Sequence, residues 1–475
     1  AFSHDAWGLW ESKLSFWRVD AECRMTDKRE NLRVWLSLAV LTFAACEGAV
    51  GSPLCTPGVA IACVCNDGGA GAQSCKADGS AFEPCLCEEG DTSPAGDAEH
   101  DDVERGEAEA EAGPPSAGQF IAVEPGGETI CARGTPFRFF VYGGDPSRIV
   151  IDFVGGGACW NAFSCALGQE INGQPIFTDA AEELEDVKSA MASGFLGGIY
   201  DLANPDNPYA GWTLIRVPYC SGDFYWGDVS VDYSDDLRIH HRGYKNASSV
   251  TEWLSDNYPD VDQIVSTGCE AGAYGSLNQA ITLAERYPEA RITALGDSGS
   301  GVITESFFAD AFMTWNAFAS MPLHLPGLAG KDLEDVTVAD LAIAASNTYQ
   351  GLRIAQYVAA YDMLQSFHYM FMGGDVAQWN QHAVASLEHI RSRAESFRYY
   401  LAPGPIHCIN PYDIAYEREV EGVKFTDWVR ALINDDSPPD DVACGDACRE
   451  DPICAGCAEG SVESPACGWC EGYEP

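Results

Sequence analysis

Ile264-Val-Ser-Thr-Gly-Cys-Glu-Ala-Gly-Ala-Tyr-Gly-Ser276 is the stretch on which the reading of this chain turns. The apolar, β-prone pair Ile264 and Val265 feeds a turn that carries Gly268 and Gly272. Leu277-Asn-Gln-Ala-Ile-Thr-Leu-Ala-Glu-Arg286 then reads as a helix. Strand, sharp turn and helix in that order are the layout of a nucleophile elbow, written G-x-S-x-G. Here the turn reads Gly268-Cys269-Glu270-Ala271-Gly272, with Glu270 at the apex where a serine is expected.

Around the elbow, short strand-like runs at 137–142, 149–154, 214–217, 291–295, 352–358 and 399–402 alternate with helical stretches such as 250–258 and 380–398. Such alternation predicts an α/β fold with a mainly parallel, doubly wound sheet covered on both faces. In such sheets the working residues lie just past the carboxyl ends of strands. Glu270, Asp297, Asp362 and His407 all fall at such positions. The order of Glu270, Asp362 and His407 is the nucleophile–acid–histidine order of α/β-hydrolases. In that chemistry the histidine takes the nucleophile's proton, and the acid orients the imidazole and stabilises its charge. Gly155-Gly156-Gly157 follows the strand at 149–154. By itself a glycine run is a tight turn, but after an early strand it lets backbone N–H groups reach a developing oxyanion.

The chain has 475 residues, 27 Lys plus Arg against 72 Asp plus Glu, and a net charge of −45. That charge repels nucleic acid, which is excluded as a partner, and repels anionic membrane surfaces. Residues 1–24 do not begin with Met and read as an over-extended start. Residues 25–46 read as an export signal, with Lys28, Arg29 and Arg33 ahead of the apolar run 34–45. That run is about 12 residues long, against about 20 for a membrane-spanning helix. It ends in Phe43-Ala-Ala-Cys46, which resembles a lipoprotein cleavage site, with Cys46 as the lipidated residue. The expected locations are the periplasm or cell surface as a lipoprotein, with membrane contact only through the lipid anchor, or a secreted form.

Twenty cysteines fall in blocks. Six lie within 55–87, a Cys-rich stapled module. Six lie within 436–475, a Cys-rich tail read as a second appendage. Even-numbered sets point to disulfides in an oxidising compartment. The competing reading for Cys454-Ala-Gly-Cys457 and Cys467-Gly-Trp-Cys470 is a zinc ribbon. Between module and body, residues 88–117 carry eleven acids against Arg105 and read as an acidic, disordered tether. The globular body is expected over 118–435.

Five motifs together resemble the pectin acetylesterase/Notum family of α/β-hydrolase carboxylesterases: Val150-Ile-Asp-Phe-Val-Gly-Gly-Gly-Ala-Cys-Trp160, Val217-Pro-Tyr-Cys-Ser-Gly-Asp223, Thr267-Gly-Cys-Glu-Ala-Gly-Ala-Tyr-Gly-Ser276, Gly296-Asp-Ser-Gly299 and Leu401-Ala-Pro-Gly-Pro-Ile-His407. The resemblance covers residues 118–435. It implies hydrolysis of an acyl ester on a carbohydrate or protein, with no metal or cofactor, by a monomer. It implies His407 as base, Asp362 as acid with Asp297 as the alternative acid, and Gly156, Gly157 and the Ala271 N–H as oxyanion hole, with Trp160 and Asp297 contacting substrate. It also suggests the disulfides Cys159–Cys165, Cys269–Cys220 and Cys408–Cys444.

The departure is Glu270. A carboxylate has no proton for His407 to remove, so the serine mechanism does not run. Three readings follow: an inactive member that still binds acylated ligands, direct attack by Glu270, or an ordinary esterase altered at this one residue. Direct attack is disfavoured, because Glu is one methylene longer than the Asp of carboxylate-type elbows and a misplacement of about 1 Å costs ~10²-fold. Close to His407, Glu270 should raise the imidazole pKa and form a resting ion pair with it.

Overall fold

The computed structural model describes residues 60–64, 70–74, 76, 86–87, 113–166, 176–331 and 335–473. The export signal, Cys46, the start at 1–24 and most of the tether lie outside the described residues. The chain divides into two units, residues 1–103 and 104–475. In the first, strands Ala60–Val64 and Ala70–Ser74 pair antiparallel, and Leu86–Cys87 adds to the second. The rest of the expected stapled module, its disulfides included, lies outside the described residues.

The second unit is built on nine strands: β1 (Phe120–Val123), β2 (Phe139–Tyr142), β3 (Asp145–Phe153), β4 (Trp212–Val217), β5 (Gln263–Cys269), β6 (Arg291–Asp297), β7 (Leu352–Ala359), β8 (Arg398–Ala402) and β9 (Val442–Ala443). Their spatial order is β9-β8-β7-β6-β5-β3-β4-β2-β1. From β9 to β4 every pairing is parallel, while β2 and β1 close the other edge antiparallel. This is the mainly parallel α/β sheet that the alternating pattern predicts, in the α/β-hydrolase-like arrangement that the resemblance implies.

Strands β4 and β7 are buried along their whole length. That is the pattern of strands covered on both faces, and it explains their unbroken apolar runs. On β6, Gly296 lies against Ala273 of the helix Ala271–Arg286. Arg291, an odd number of residues away and so on the opposite face, donates to the Ile433 and Asn434 carbonyls of the helix Phe425–Asn434. The helix Ala271–Arg286 is almost entirely buried, as its run of small and aliphatic residues requires. No helix among the described residues is long and apolar enough to cross a membrane.

Two expectations change. The helix expected over 380–398 runs only over Trp379–Arg391. The chain then turns and Arg398 begins β8, because the strand must re-enter the sheet beside β7. The Cys-rich tail, expected as an appendage, contributes the outermost parallel strand, β9, beside β8. Its cysteines pair as Cys444–Cys448, Cys454–Cys470 and Cys457–Cys467, which decides against the zinc-ribbon reading.

Candidate functional site

Strand β5 ends at Cys269, and Glu270 is held at φ 55°, ψ −117° before the helix Ala271–Arg286 begins. A positive φ on a non-glycine residue is strained, and it is the backbone state of an elbow apex. Gly272 is needed just beyond it, since a Cβ there would overlap the Phe153 carbonyl at the end of β3. Glu270 is 5% exposed.

The loop after β3 brings the glycine run over this apex. Gly156 and Gly157 donate their N–H groups to Glu270 Oε2 at 2.7 and 3.0 Å. Gly157 sits at φ 74°, with the Ile176 carbonyl filling the place of a Cβ, so the loop tolerates no side chain there. The two donors expected to face a substrate oxyanion therefore hold the chain's own carboxylate. Ala271, the third expected donor, begins the following helix and is fully buried.

The other carboxylate oxygen, Oε1, lies 3.1 Å from His368 Nδ1. His368 stands on the helix Met363–Phe371 and its side chain is 23% exposed. The close contact expected with His407 is thus made with His368, while His407 acts on Glu270 through its charge. Nothing in the sequence signals this partner, because a histidine six residues beyond Asp362 on an aromatic helix reads as one polar position among many.

Asp362 is the N-cap of that same helix. Its Oδ1 accepts from the Gln365 N–H at 2.9 Å, and its two oxygens lie 2.9 and 3.0 Å from His407 Nδ1. The cap hydrogen bond fixes the carboxylate that orients the imidazole. His407 is 4% exposed, and its Nε2 faces Cys269 Sγ at 3.8 Å. The sheet brings together Glu270, Asp362, His407 and the two glycines.

Asp297 does not reach the site surface. It is fully buried, and its Oδ2 accepts the N–H groups of Ile409 and Asn410 at 2.8 Å each. Ser298 Oγ accepts the Cys408 N–H at 3.0 Å. Asp297 is therefore a brace under the loop that carries His407, and not the substrate contact that the resemblance implies. Its place at a strand end gave it the look of a site residue, but the returning loop covers it. Trp160 is half-buried and packs edge-to-face on Phe307 and Phe371, with ring centroids 4.7 and 5.6 Å away. Phe367, in turn, stacks on Phe371 and is 44% exposed. An apolar, aromatic wall thus continues from the glycine loop to the helix that carries His368.

The disulfides differ from those suggested by the resemblance, apart from Cys159–Cys165, which forms. Cys269 pairs with Cys408 and Cys220 pairs with Cys131, while Cys444 closes a local loop with Cys448. Cys269 precedes the elbow apex and Cys408 follows His407, so the sheet delivers the two sulfurs to one point. Ala132 N–H bonds to the Cys220 carbonyl at 2.7 Å, which sets the other pair side by side.

Electrostatics follow from these contacts. Burial alone would raise the Glu270 carboxyl, but the hydrogen bond and charge of His368, the charge of His407 and the Gly157 N–H outweigh it and draw the pKa from 4.5 down to about 2. Burial works to lower His407, but the charge and hydrogen bond of Asp362, with Glu270 and Asp297 behind them, raise it, in the expected direction. Burial pushes Asp297 up to about 7 against the Asn410 and Ile409 N–H groups.

Residues 119–324 match the family model of pectinacetylesterase. This stretch is a pectinacetylesterase-family domain. The match takes in the glycine loop, the elbow and Asp297, while Asp362 and His407 lie beyond it. The pectinacetylesterase domain and its α/β-hydrolase-like sheet are carboxylesterase-like, with glutamate at the elbow apex.

Proposed function

We propose that this chain is an exported, non-hydrolysing relative of the carboxylesterases that retains an acylated ligand, carried by a carbohydrate or a protein, as a monomer. The observation that carries this reading is the Glu270 carboxylate bound by the Gly156 and Gly157 N–H groups. Ester hydrolysis needs those donors free for the oxyanion and a nucleophile whose proton the histidine can take. Glu270 fills the first role's place and lacks the proton for the second. Its depressed pKa also makes it a weak base and a weak nucleophile, which argues against direct attack. The aromatic wall of Trp160, Phe307, Phe371 and Phe367 supports an apolar ligand group at the mouth. Disulfides throughout the described body support an oxidising compartment, in keeping with export and with Cys46 as a lipid anchor.

A second reading is an esterase one residue from activity, favoured by the intact Asp362–His407 pair. Both readings meet in one experiment. The purified protein is expected to leave 4-nitrophenyl acetate unhydrolysed and to escape labelling by a serine-directed phosphonate, while still retaining acetylated pectin on a binding column. Glu270→Ser is expected to restore labelling and turnover. Turnover by the unchanged chain, lost in His407→Ala, would overturn the non-hydrolysing reading.

A further inference from the structure

Residues 444–473 lie outside the matched pectinacetylesterase stretch, yet they touch His407 and Tyr361, the residue just before Asp362. Trp469 meets the His407 ring edge-to-face, with centroids 5.4 Å apart, and is hydrogen-bonded to the Tyr412 side chain in the same loop. The short helix Pro465–Cys470 that carries Trp469 is tied at two points, by Cys457–Cys467 and Cys454–Cys470, to the helix Pro452–Glu459. On the other side, the Arg449 guanidinium lies 4.7 Å over the Tyr361 ring, immediately before Asp362. Tyr473 packs on the same ring and donates to the Arg449 carbonyl at 3.0 Å.

The base of this assembly is anchored in the body. Asp451 takes a two-pronged ion pair from Arg418 at 2.8 and 3.1 Å, both side chains being almost completely buried. The Gly404 N–H, in the turn leading to His407, donates to the Cys448 carbonyl at 2.9 Å. A buried bidentate pair of this kind holds register well even where its net contribution to stability is small.

We propose that the disulfide-stapled tail is a clamp on the site, with Trp469 the positioning residue that closes the exposed side of the His407 ring. Sequence gives the tail the look of a separate appendage because six cysteines cluster in it. Its contacts say otherwise: one end seals His407, the other steadies the turn before Asp362, and Arg418–Asp451 sets the distance between them. The inference does not depend on whether the site turns over, since it concerns the resting geometry of the ring.

The test uses the full chain and reads His407 alone. Carbethoxylation of His407 by diethyl pyrocarbonate is followed by mass spectrometry, and its ring titration by NMR, assigned with His407→Gln. Trp469→Ala is expected to speed modification of His407 at least tenfold. It is also expected to raise the ring's titration midpoint, because burial is what lowers it, while the other histidines keep their behaviour. Asp362, Glu270 and Asp297, the charged groups acting on the ring, are unchanged in that variant. Trp469→Phe, which keeps a ring in place, is expected to stay near the wild type. If Trp469→Ala does not fold, the Cys457→Ala/Cys467→Ala pair, which frees the Trp469 helix at one point only, carries the same expectation. Modification rates and titration within twofold and 0.2 pH units of the wild type in whichever variant folds, or failure of both to fold, overturn the clamp in favour of a purely structural tail.

Discussion

Glu270 is a carboxylate doing by itself what a substrate oxyanion does for an instant in a working esterase. Two N–H groups hold one of its oxygens and His368 holds the other, so the residue at the apex is both strained in its backbone and satisfied in its side chain. This has a consequence for stability. The folded pKa of about 2 is below the ordinary 4.5, so folding favours the ionised form. The contribution is whole above pH 4.5 and fades as pH falls toward 2; the shift corresponds to on the order of 3 kcal/mol. Glu270→Gln is expected to flatten the acid limb of a stability-versus-pH curve measured by urea unfolding. An unchanged limb would show that the carboxylate is not held as described. That Glu270 occupies a serine's position was legible from spacing alone, since the flanking glycines mark the apex. Its attachment to His368 was not, because the two residues lie on different elements about a hundred positions apart.

At the scale of elements, the loop 403–410 is what makes His407 a site residue. It is fastened from below by Asp297 and Ser298, and across the elbow by Cys269–Cys408. That disulfide spans 139 residues and, on the chain-entropy account, adds about 5 kcal/mol to the folded state. Asp297→Ala leaves two buried N–H groups without an acceptor and is expected to cost on the order of 2–4 kcal/mol. Asp297→Asn keeps an acceptor oxygen. The Asp297 pKa is raised from 3.8 to about 7, so folding favours its protonated form. That contribution is whole below pH 3.8 and is lost as pH rises through 7, opposite in sign to that of Glu270. Asn at 297 is expected to shrink this decline between pH 4 and 7, with thermal midpoints as the measurement; buried Asp223, raised to about 6, keeps its own share, and a decline as steep in Asp297→Asn as in the wild type refutes the brace. The strand ends that hold Glu270, Asp297 and Asp362 could be read from apolar runs and their stops. Which of the acids faces the site and which is covered depends on where a loop from the far end of the chain comes to rest.

Across the whole molecule, charge and connectivity work on different terms. Residues 113–475 hold 51 of the 72 acidic and 19 of the 27 basic side chains, so the folded second unit carries strong self-repulsion. Raising salt from 10 mM to 1 M shortens the screening length from about 30 Å to about 3 Å, so the melting temperature is expected to rise by several degrees. A falling melting temperature would mean that ion pairs such as Arg216–Glu182 outweigh the repulsion. The tail contributes at this scale too, since β9 completes the sheet edge while the same segment reaches back to His407.

By itself the sequence determined the parallel α/β sheet, the elbow, the glycine loop and the order of acid and histidine. All of these rest on local patterns: apolar strands, glycines where a side chain would collide, and turns at strand ends. Only the tertiary structure decided which groups face one another. It seated Glu270 in the glycine N–H pair, gave it His368, buried Asp297, joined Cys269 to Cys408 and laid Trp469 on His407. Those pairings join residues far apart in the chain, and no spacing encodes them, because a contact of that range is fixed by how the whole sheet and its loops pack.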